Sequence, residues 1–138
     1  MTTEQEYNKP IPGSSTDTSR FWEKLREHKL ELPKCTNCGK ISFPPRPICP
    51  ACMSLDLEWT ELSGKGEVHT FTVVYQNGMA GFSDDVPYAV GYVKLDEGPQ
   101  MMTNFIGIEP EKVRIGMRVE IVYDDVMPEV TLPKFKPN

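Results

Sequence analysis

Cys35-Thr36-Asn37-Cys38 and Cys49-Pro50-Ala51-Cys52 contain all four cysteines of this 138-residue chain. In each pair two residues separate the cysteines, so a tight turn can direct both thiolates at one ion. Two such turns facing each other form a closed tetrahedral site of four sulfur ligands, which suits structural zinc. Four protein ligands leave no position open for a substrate. The metal is therefore expected to hold the fold rather than to catalyse.

Other uses of paired cysteines fit this chain less well. Two disulfides need an oxidising compartment, and the polar, acidic start of the sequence carries no export signal. A redox Cys-x-x-Cys motif usually stands alone at the start of a helix. Iron fits the same cage of four sulfurs. Gly39 directly after Cys38 is similar to a rubredoxin knuckle, whereas the short gap between the pairs resembles a zinc ribbon, and zinc is the prediction we prefer.

Composition limits the classes of function. The chain has 15 basic and 20 acidic residues, a formal net charge of −5, which argues against a protein that follows phosphate backbones. The apolar runs are too short to cross a bilayer. We therefore expect a cytoplasmic protein with no membrane segment, in a reducing compartment that keeps the thiols available for metal.

The sequence divides into three predicted parts. Residues 1–18 carry Pro10, Pro12 and Gly13 among Ser and Thr and predict a flexible arm. Residues 19–62 predict a short helix over 19–30, with Ser19 as N-cap, followed by the zinc ribbon. Residues 63–138 predict a barrel domain.

Strands are predicted on both sides of the glycine-rich bend at residues 64–66. Within the ribbon, Ile41 to Phe43 and Leu57 to Leu62 read as strands. After the bend, five strands with turn residues between them and one helical turn at 109–113 indicate a five-stranded OB-fold barrel. The predicted barrel strands are 67–76, 88–95, 101–108, 118–123 and 130–132. The fold class is therefore mainly β, with a short N-terminal helix, a rubredoxin-like four-cysteine ribbon and a C-terminal barrel.

The order of motifs along the chain resembles a known family. Phe43-Pro44-Pro45-Arg46 lies between the cysteine pairs, and the barrel opens with Gly64-Lys65-Gly66-Glu67-Val68. Pro87-Tyr88-Ala89-Val90, Ile115-Gly116-Met117-Arg118-Val119 and a closing Leu132-Pro133-Lys134-Phe135 follow. Over residues 18–138 this looks like the DUF35 family, a rubredoxin-like zinc ribbon followed by an OB-fold domain.

The resemblance implies a function that composition alone could not show. Proteins of this family are accessory subunits of thiolase-fold acyl-CoA enzymes, and they bridge the catalytic subunits or help form the CoA channel. It therefore implies a hetero-oligomer with a thiolase-fold catalytic subunit, structural Zn²⁺, and CoA or acyl-CoA bound at the partner interface. The nucleophile would come from the partner.

No catalytic set is predicted in this chain, because the cysteines are used as metal ligands and no free thiol remains. His28 and His69 are expected to be hydrogen-bonded structural residues. The adjacent carboxylate pairs 84–85, 96–97 and 124–125 are expected to be solvated, since neighbours in a strand point to opposite faces. Candidate contacts to CoA or to a partner are Phe21, Trp22, Arg46, Lys65, Met79 and Phe82.

Each candidate contact has a plainer structural interpretation. Phe21 and Trp22 on the helix can simply cap the core. Lys65 between two glycines can mark a hinge, although an ammonium there can also meet a phosphate. Met79 and Phe82 lie in the longest loop, residues 76–86, and can either fold over the barrel end or form a lid.

Two other functions remain alternatives. A single-stranded nucleic-acid-binding OB-fold module would need a positive groove with stacking aromatics, and its binding would fall steeply with salt. The acidic net charge argues against that module. An independent small acyltransferase or hydratase would need turnover by the chain alone, and the chain lacks a spare nucleophile paired with a base.

Overall fold

A two-stranded sheet and a closed five-stranded barrel make up most of the computed structural model, which describes residues 7–138. The elements, in chain order, are helix α1 (Ser19–Arg26), strands β1 (Glu31–Cys35), β2 (Leu57–Glu61), β3 (Lys65–Val74), β4 (Tyr88–Leu95) and β5 (Gln100–Phe105), a 3₁₀ helix (Pro110–Lys112), and strands β6 (Arg118–Met127) and β7 (Val130–Pro137). This mainly β architecture with one short helix and a five-stranded barrel confirms the predicted fold class.

Helix α1 is shorter than the sequence predicted. Thr18 occupies the N-cap position and Ser19 is the first helical residue, so the predicted cap is off by one. The helix ends at Arg26 because His28 has a left-handed backbone with φ of 59°, and the N–H groups of His28 and Lys29 bond back to carbonyls of the last turn. Leu30, which follows this turn, is fully buried in the core.

The ribbon sheet pairs β1 with β2 in antiparallel register, with Cys35 opposite Leu57. The predicted strand from Ile41 to Phe43 does not form, since Ile41 makes a single bridge to Lys34. The prolines that follow at positions 44, 45 and 47 have no N–H to donate to a ladder. This segment instead lies against the helix and the barrel.

The barrel strands follow the order β3-β4-β5-β7-β6 and close on themselves. Strands β6 and β7 form a longer hairpin than predicted, reaching Met127 and Pro137, and β5 ends earlier, at Phe105. Gly107, with φ of 70°, turns the chain after β5. The predicted helical turn lies between β5 and β6 as the 3₁₀ helix.

A bulge in β3 changes which residues face the core. The register between β3 and β4 shifts between Val68 and Thr70. His69 therefore lies exposed on the bulge, whereas Phe71 and Val73 further along β3 are half-buried.

One hydrophobic cluster connects the helix, the ribbon and the barrel. Phe21 and Leu25 from the helix and Leu32 from the ribbon pack with barrel residues such as Val93 and Phe135. Trp22, Phe43 and Trp59 pack against this cluster while half-buried. The ribbon and the barrel thus share a core rather than having one each.

Candidate metal centre and surface grooves

The two cysteine pairs adopt the same backbone turn. In the first turn, Gly39 N–H donates to the Cys35 carbonyl at 2.8 Å and Cys35 N–H donates to the Lys40 carbonyl at 2.8 Å. In the second, Met53 N–H donates to the Cys49 carbonyl at 2.9 Å and Cys49 N–H donates to the Ser54 carbonyl at 2.9 Å. Both residues that follow the second cysteine have a left-handed backbone, Gly39 with φ of 82° and Met53 with φ of 65°.

These turns bring the four sulfurs to one point. Cys35 Sγ lies 3.5 Å from Cys52 Sγ, Cys38 Sγ lies 3.6 Å from Cys49 Sγ, and all four lie within 4.8 Å of one another. A tetrahedral zinc with Zn–S bonds of about 2.3 Å has sulfur–sulfur edges of roughly 3.8 Å. Cys35 and Cys49 are fully buried, so the site is anchored from inside the protein.

The surroundings of the sulfurs favour bound thiolates. Backbone N–H groups of Cys52 and Ala51 lower the pKa of Cys49, and the Asn37 amide, 3.5 Å from Cys52 Sγ, lowers the pKa of Cys52. At Cys38 the backbone N–H of Lys40 lowers the pKa, but the neighbouring sulfurs outweigh it and raise the pKa to about 11. Four crowded thiolates therefore need a shared cation, and a divalent metal with four sulfur ligands fits the donor set.

Two of the candidate contact residues lie along a groove between the helix and the barrel. Trp22 and the nearly buried Phe21 line this groove of about 240 Å³ together with Phe43. The rings of Phe21 and Trp22 pack edge to face, with centroids 5.0 Å apart. The barrel contributes β5 and β7. We call it the β5 groove. Phe21, at 3% exposure, offers almost no surface to a partner.

Arg46 lines a neighbouring groove of about 300 Å³, which we call the cationic groove. Lys40, Ser42 and Phe43 line it from the ribbon, and the β4–β5 turn with Gln100 lines it from the barrel. Among residues 7–138, neither Lys40 nor Arg46 has a carboxylate within salt-bridge distance. Ser42 Oγ is buried and has no hydrogen-bond partner in the described part of the chain.

Phe82 lines a third opening, a cleft of about 560 Å³ at one end of the barrel. Lys9 crosses this end, pairing with Asp85 at 2.7 Å and lying over the Phe82 ring at 5.6 Å. Asn8 packs so closely on Gly81 that a Cβ there would lie 2.5 Å from the Asn8 carbonyl oxygen. Phe82 thus folds back toward the barrel, whereas Met79 on the same loop stays 56% exposed.

The remaining candidates are not brought together. Lys65 lines none of these grooves. It lies near Asp96, whose pKa is lowered mainly by Arg118 and to a smaller extent by the charge of Lys65. The carboxylates expected to be solvated are largely ion-paired: Asp85 with Lys9, Asp96 with Arg118 and Asp124 with Lys134. His28 stacks on Tyr123 at 5.0 Å and lies 2.9 Å from an Asp125 oxygen, as expected of a structural histidine.

Several residues of these surfaces were missed from the sequence. Phe43 joins two grooves, and Asn104 and Lys134 line both the β5 groove and the barrel-end cleft. Pairing between distant strands decides these positions, so local patterning could not identify them. Pro133, which directly follows the predicted strand 130–132 and lies within β7, was the one local signal, because proline in a strand marks an edge.

Comparison with known proteins identifies this chain as a zinc-ribbon protein with an OB-fold domain. Residues 22–58 match the ChsH2 rubredoxin-like zinc ribbon domain, and residues 59–124 match the ChsH2 C-terminal OB-fold domain. A DUF35 domain-containing scaffold protein of Pyrococcus furiosus is 42% identical over 111 residues, 80% of each chain. The chain belongs to the DUF35 family.

Other relatives carry names of enzyme subunits. A probable enoyl-CoA hydratase alpha subunit of Thermomonospora curvata is 35% identical over 94% of this chain, but the match spans 40% of that longer protein. The benzoylsuccinyl-CoA thiolase subunit BbsA of Thauera aromatica is 30% identical over 67% of this chain and 62% of its own length. These names state the functions of the relatives and not of this chain.

A solved structure extends the similarity to most of the chain. A chain of the Ltp2-ChsH2(DUF35) aldolase superposes with a TM-score of 0.82 and 35% identity, covering 91% of this chain and 98% of that one. In the described part of the chain, no helix is long and apolar enough to span a membrane.

Proposed function

We propose that this chain is a non-catalytic, zinc-binding accessory subunit of a thiolase-type acyl-CoA enzyme complex. The similarity over 80% of each chain to a protein named as a scaffold carries the proposal. Relatives named as subunits of acyl-CoA enzymes support the same class of partner. In this proposal zinc at Cys35, Cys38, Cys49 and Cys52 fixes the ribbon, and a thiolase-fold partner supplies the reacting groups.

Each part of the chain has a role in this proposal. The helix and ribbon, residues 19–62, hold Trp22 and Arg46 rigidly for contact with the partner. The barrel, residues 63–138, carries the loop with Met79 and Phe82 beside the barrel-end cleft. The arm, residues 1–18, crosses that cleft in its described portion. Its predicted flexibility stays a prediction, and residues 1–6 lie outside the described chain.

The barrel-end cleft is the place where we propose that the pantetheine arm of CoA enters. Phe82 and Tyr88 offer aromatic surface, and the Asn104 amide and the Lys134 ammonium offer donors to the amide oxygens of pantetheine. The mixture of apolar lining with a few polar groups is typical of small-molecule sites.

Affinity purification from the native host tests the accessory-subunit proposal. A tagged chain, isolated under reducing conditions at moderate salt, should retain a thiolase-fold subunit in a fixed ratio. The complex should cleave or form acyl-CoA C–C bonds, and the chain alone should not. A chain that elutes alone, or that turns over acyl-CoA by itself, would contradict the proposal.

Binding of CoA to the purified complex tests the cleft. Phe82→Ala should weaken CoA binding by about tenfold, since a stacking or packing aromatic contributes on the order of 1–2 kcal/mol. Met79→Ala is the matched control on the same loop, because Met79 lies outside the cleft lining. Equal affinities of both variants and the wild type would place CoA elsewhere.

A further inference from the structure

Strand β5 has one open edge. Leu95 N–H donates to the Pro99 carbonyl at 2.9 Å, which sets the phase of the ladder between β4 and β5. In that phase Met101 and Thr103 exchange hydrogen bonds with β4, and the N–H and C=O groups of Gln100 and Met102 point away from it. Within residues 7–138, β5 meets its other neighbour β7 at one parallel pair, Phe105 with Phe135.

Pro133 explains why the seam between β5 and β7 opens. Ile106 N–H donates to the Phe135 carbonyl at 2.8 Å, so odd-numbered residues of β7 face β5. The next such residue toward the start of β7 is Pro133, which has no N–H to give to the Met102 carbonyl. The ladder stops there, and the backbone groups of Met102 are left for another strand.

The β5 groove lies along this open edge. Met101, Met102 and Thr103 form one wall, and Leu132 and Pro133 form the other, with Trp22 and Phe43 at the ribbon side. Met102 is 58% exposed, and Tyr92, the residue of β4 that pairs with it, is 42% exposed. An open edge beside apolar side chains is where an extended segment can add a strand.

The charges beside the open edge indicate what an added strand would carry at one of its ends. Beyond Gln100 the edge continues into the cationic groove, where Lys40 and Arg46 are exposed and Ser42 Oγ is buried without a partner in the described chain. On a protein of net charge −5 these two cations are a local exception. They complement carboxylates that arrive beside the strand.

We propose that the open edge of β5 binds an extended segment of the catalytic partner subunit by strand addition. Apolar side chains of that segment fill the β5 groove, and acidic side chains meet Lys40 and Arg46. This proposal rests on the proposed function, because the catalytic subunit supplies the segment. It adds the place of docking and the chemistry of the docked element.

A proline substitution tests the backbone contact. Met102→Pro removes an N–H that β4 does not use and places a ring on the open edge, so the barrel should be retained. Met102→Val keeps the N–H and separates the effect of the side chain. With the partner obtained by affinity purification, we expect Met102→Pro to weaken binding at least tenfold and Met102→Val less than threefold. Equal binding of Met102→Pro and the wild type would overturn the proposal.

Hydrogen exchange on the unaltered chain keeps the test valid should the proline variant fail to fold. The amides of Gln100 and Met102 should exchange quickly in the isolated chain and at least a hundredfold more slowly in the complex. Protection in the dilute isolated chain would mean that the edge is already covered. Protection that grows with concentration of the isolated chain would make a second copy the occupant. Either result overturns the proposal.

Charge reversal tests the acidic end of the segment. Arg46→Glu should weaken partner binding about tenfold at low salt and less at high salt. Arg114→Glu, an exposed arginine that lines none of the described grooves, is the matched control and should leave binding unchanged. If the complex forms equally well with Arg46→Glu and with Met102→Pro, the docking proposal is wrong and the proposed function is unaffected. If the wild-type chain retains no acyl-CoA enzyme, both the docking proposal and the proposed function are wrong.

Discussion

At the scale of single residues, the two metal-binding turns are alike in geometry but not in sequence. Gly39 and Met53 occupy equivalent positions, and each donates its N–H to the carbonyl of the first cysteine of its pair. Glycine adopts the left-handed backbone freely, whereas methionine is strained there because its Cβ crowds the following carbonyl. The second turn therefore carries a strain that the first avoids.

Replacing Met53 should reveal this strain. Met53→Gly is expected to raise the free energy of unfolding by about 1 kcal/mol, because Met53 is 72% exposed and its side chain contributes little packing. Leu55→Gly is the matched control, with the same 72% exposure and no positive φ, and it should be neutral or destabilising. Urea unfolding of the metal-loaded protein measures both, and a destabilised Met53→Gly would show that the turn carries no such strain.

At the scale of elements, close contact between β3 and β4 depends on a residue without a side chain. Gly91 lies opposite Phe71, and a Cβ on Gly91 would lie 2.1 Å from the Thr70 carbonyl oxygen. This close approach lies next to the β-bulge at Val68–Thr70. The sequence pattern places Gly91 in a strand, but the reason for glycine appears only once both strands are in place.

Gly91→Ala should therefore destabilise the barrel by about 1–3 kcal/mol, the usual cost of forcing an atom into packed structure. Gly78→Ala, where an added Cβ would meet nothing within 4 Å, is the control and should change stability by less than about 0.5 kcal/mol. Thermal and urea unfolding give the comparison. Equal stability of the two variants would refute the close approach of β3 and β4.

An ion pair joins the end of β4 to the start of β6. Both terminal nitrogens of Arg118 donate to Asp96 at 2.8 Å, and this contact lowers the pKa of Asp96 below its usual 3.8. A carboxyl with a lowered folded pKa stabilises the fold above the unfolded pKa, and that contribution disappears as the pH falls through the folded value. The pair should therefore matter at neutral pH and cease to matter in acid.

Asp96→Asn should lower the melting temperature at pH 7, and its difference from the wild type should shrink as the pH falls below about 3.8. Both partners are about half exposed, so the effect is expected to be small. Asp84→Asn, at an exposed aspartate with no ion pair to a described residue, serves as control. A difference that does not change between pH 7 and pH 3 would contradict the role of the ion pair.

At the scale of the whole molecule, the ribbon and the barrel share one hydrophobic cluster. The sequence predicted a helix-and-ribbon region over residues 19–62 and a barrel domain over residues 63–138, without indicating whether the two have separate cores. A shared core makes the ribbon, and hence its metal, part of the stability of the barrel, because melting the ribbon exposes barrel side chains to water.

We therefore expect one unfolding transition. The two tryptophans, Trp22 and Trp59, report on the helix and the ribbon, and far-ultraviolet circular dichroism reports mainly on the barrel. The two signals should share one midpoint, and removing the metal with a chelator should lower that midpoint for both, because a bound structural metal contributes to folding. Separate midpoints, or a barrel signal that ignores the chelator, would show that the domains are independent.

The sequence by itself determined the four-cysteine site, the small barrel and the family resemblance, because each depends on spacing or alternation between residues near in the chain. Four cysteines in two pairs are enough to predict a four-sulfur site, and the structure brings the sulfurs together. Turn residues between short apolar runs are enough to predict five barrel strands, and five are present. Their ends shifted where a bulge, a glycine or a long hairpin intervened.

Tertiary structure alone decided how the ribbon meets the barrel and which surfaces remain open. The open edge beside Met102 exists because Pro133, thirty-one positions later in the chain, faces it across the barrel seam. Phe43 joins two grooves because the proline-rich segment packs against β5 rather than continuing as a strand. Such contacts depend on which strands distant in the chain become neighbours, whereas alternation and turn geometry fix the register only of strands that already pair.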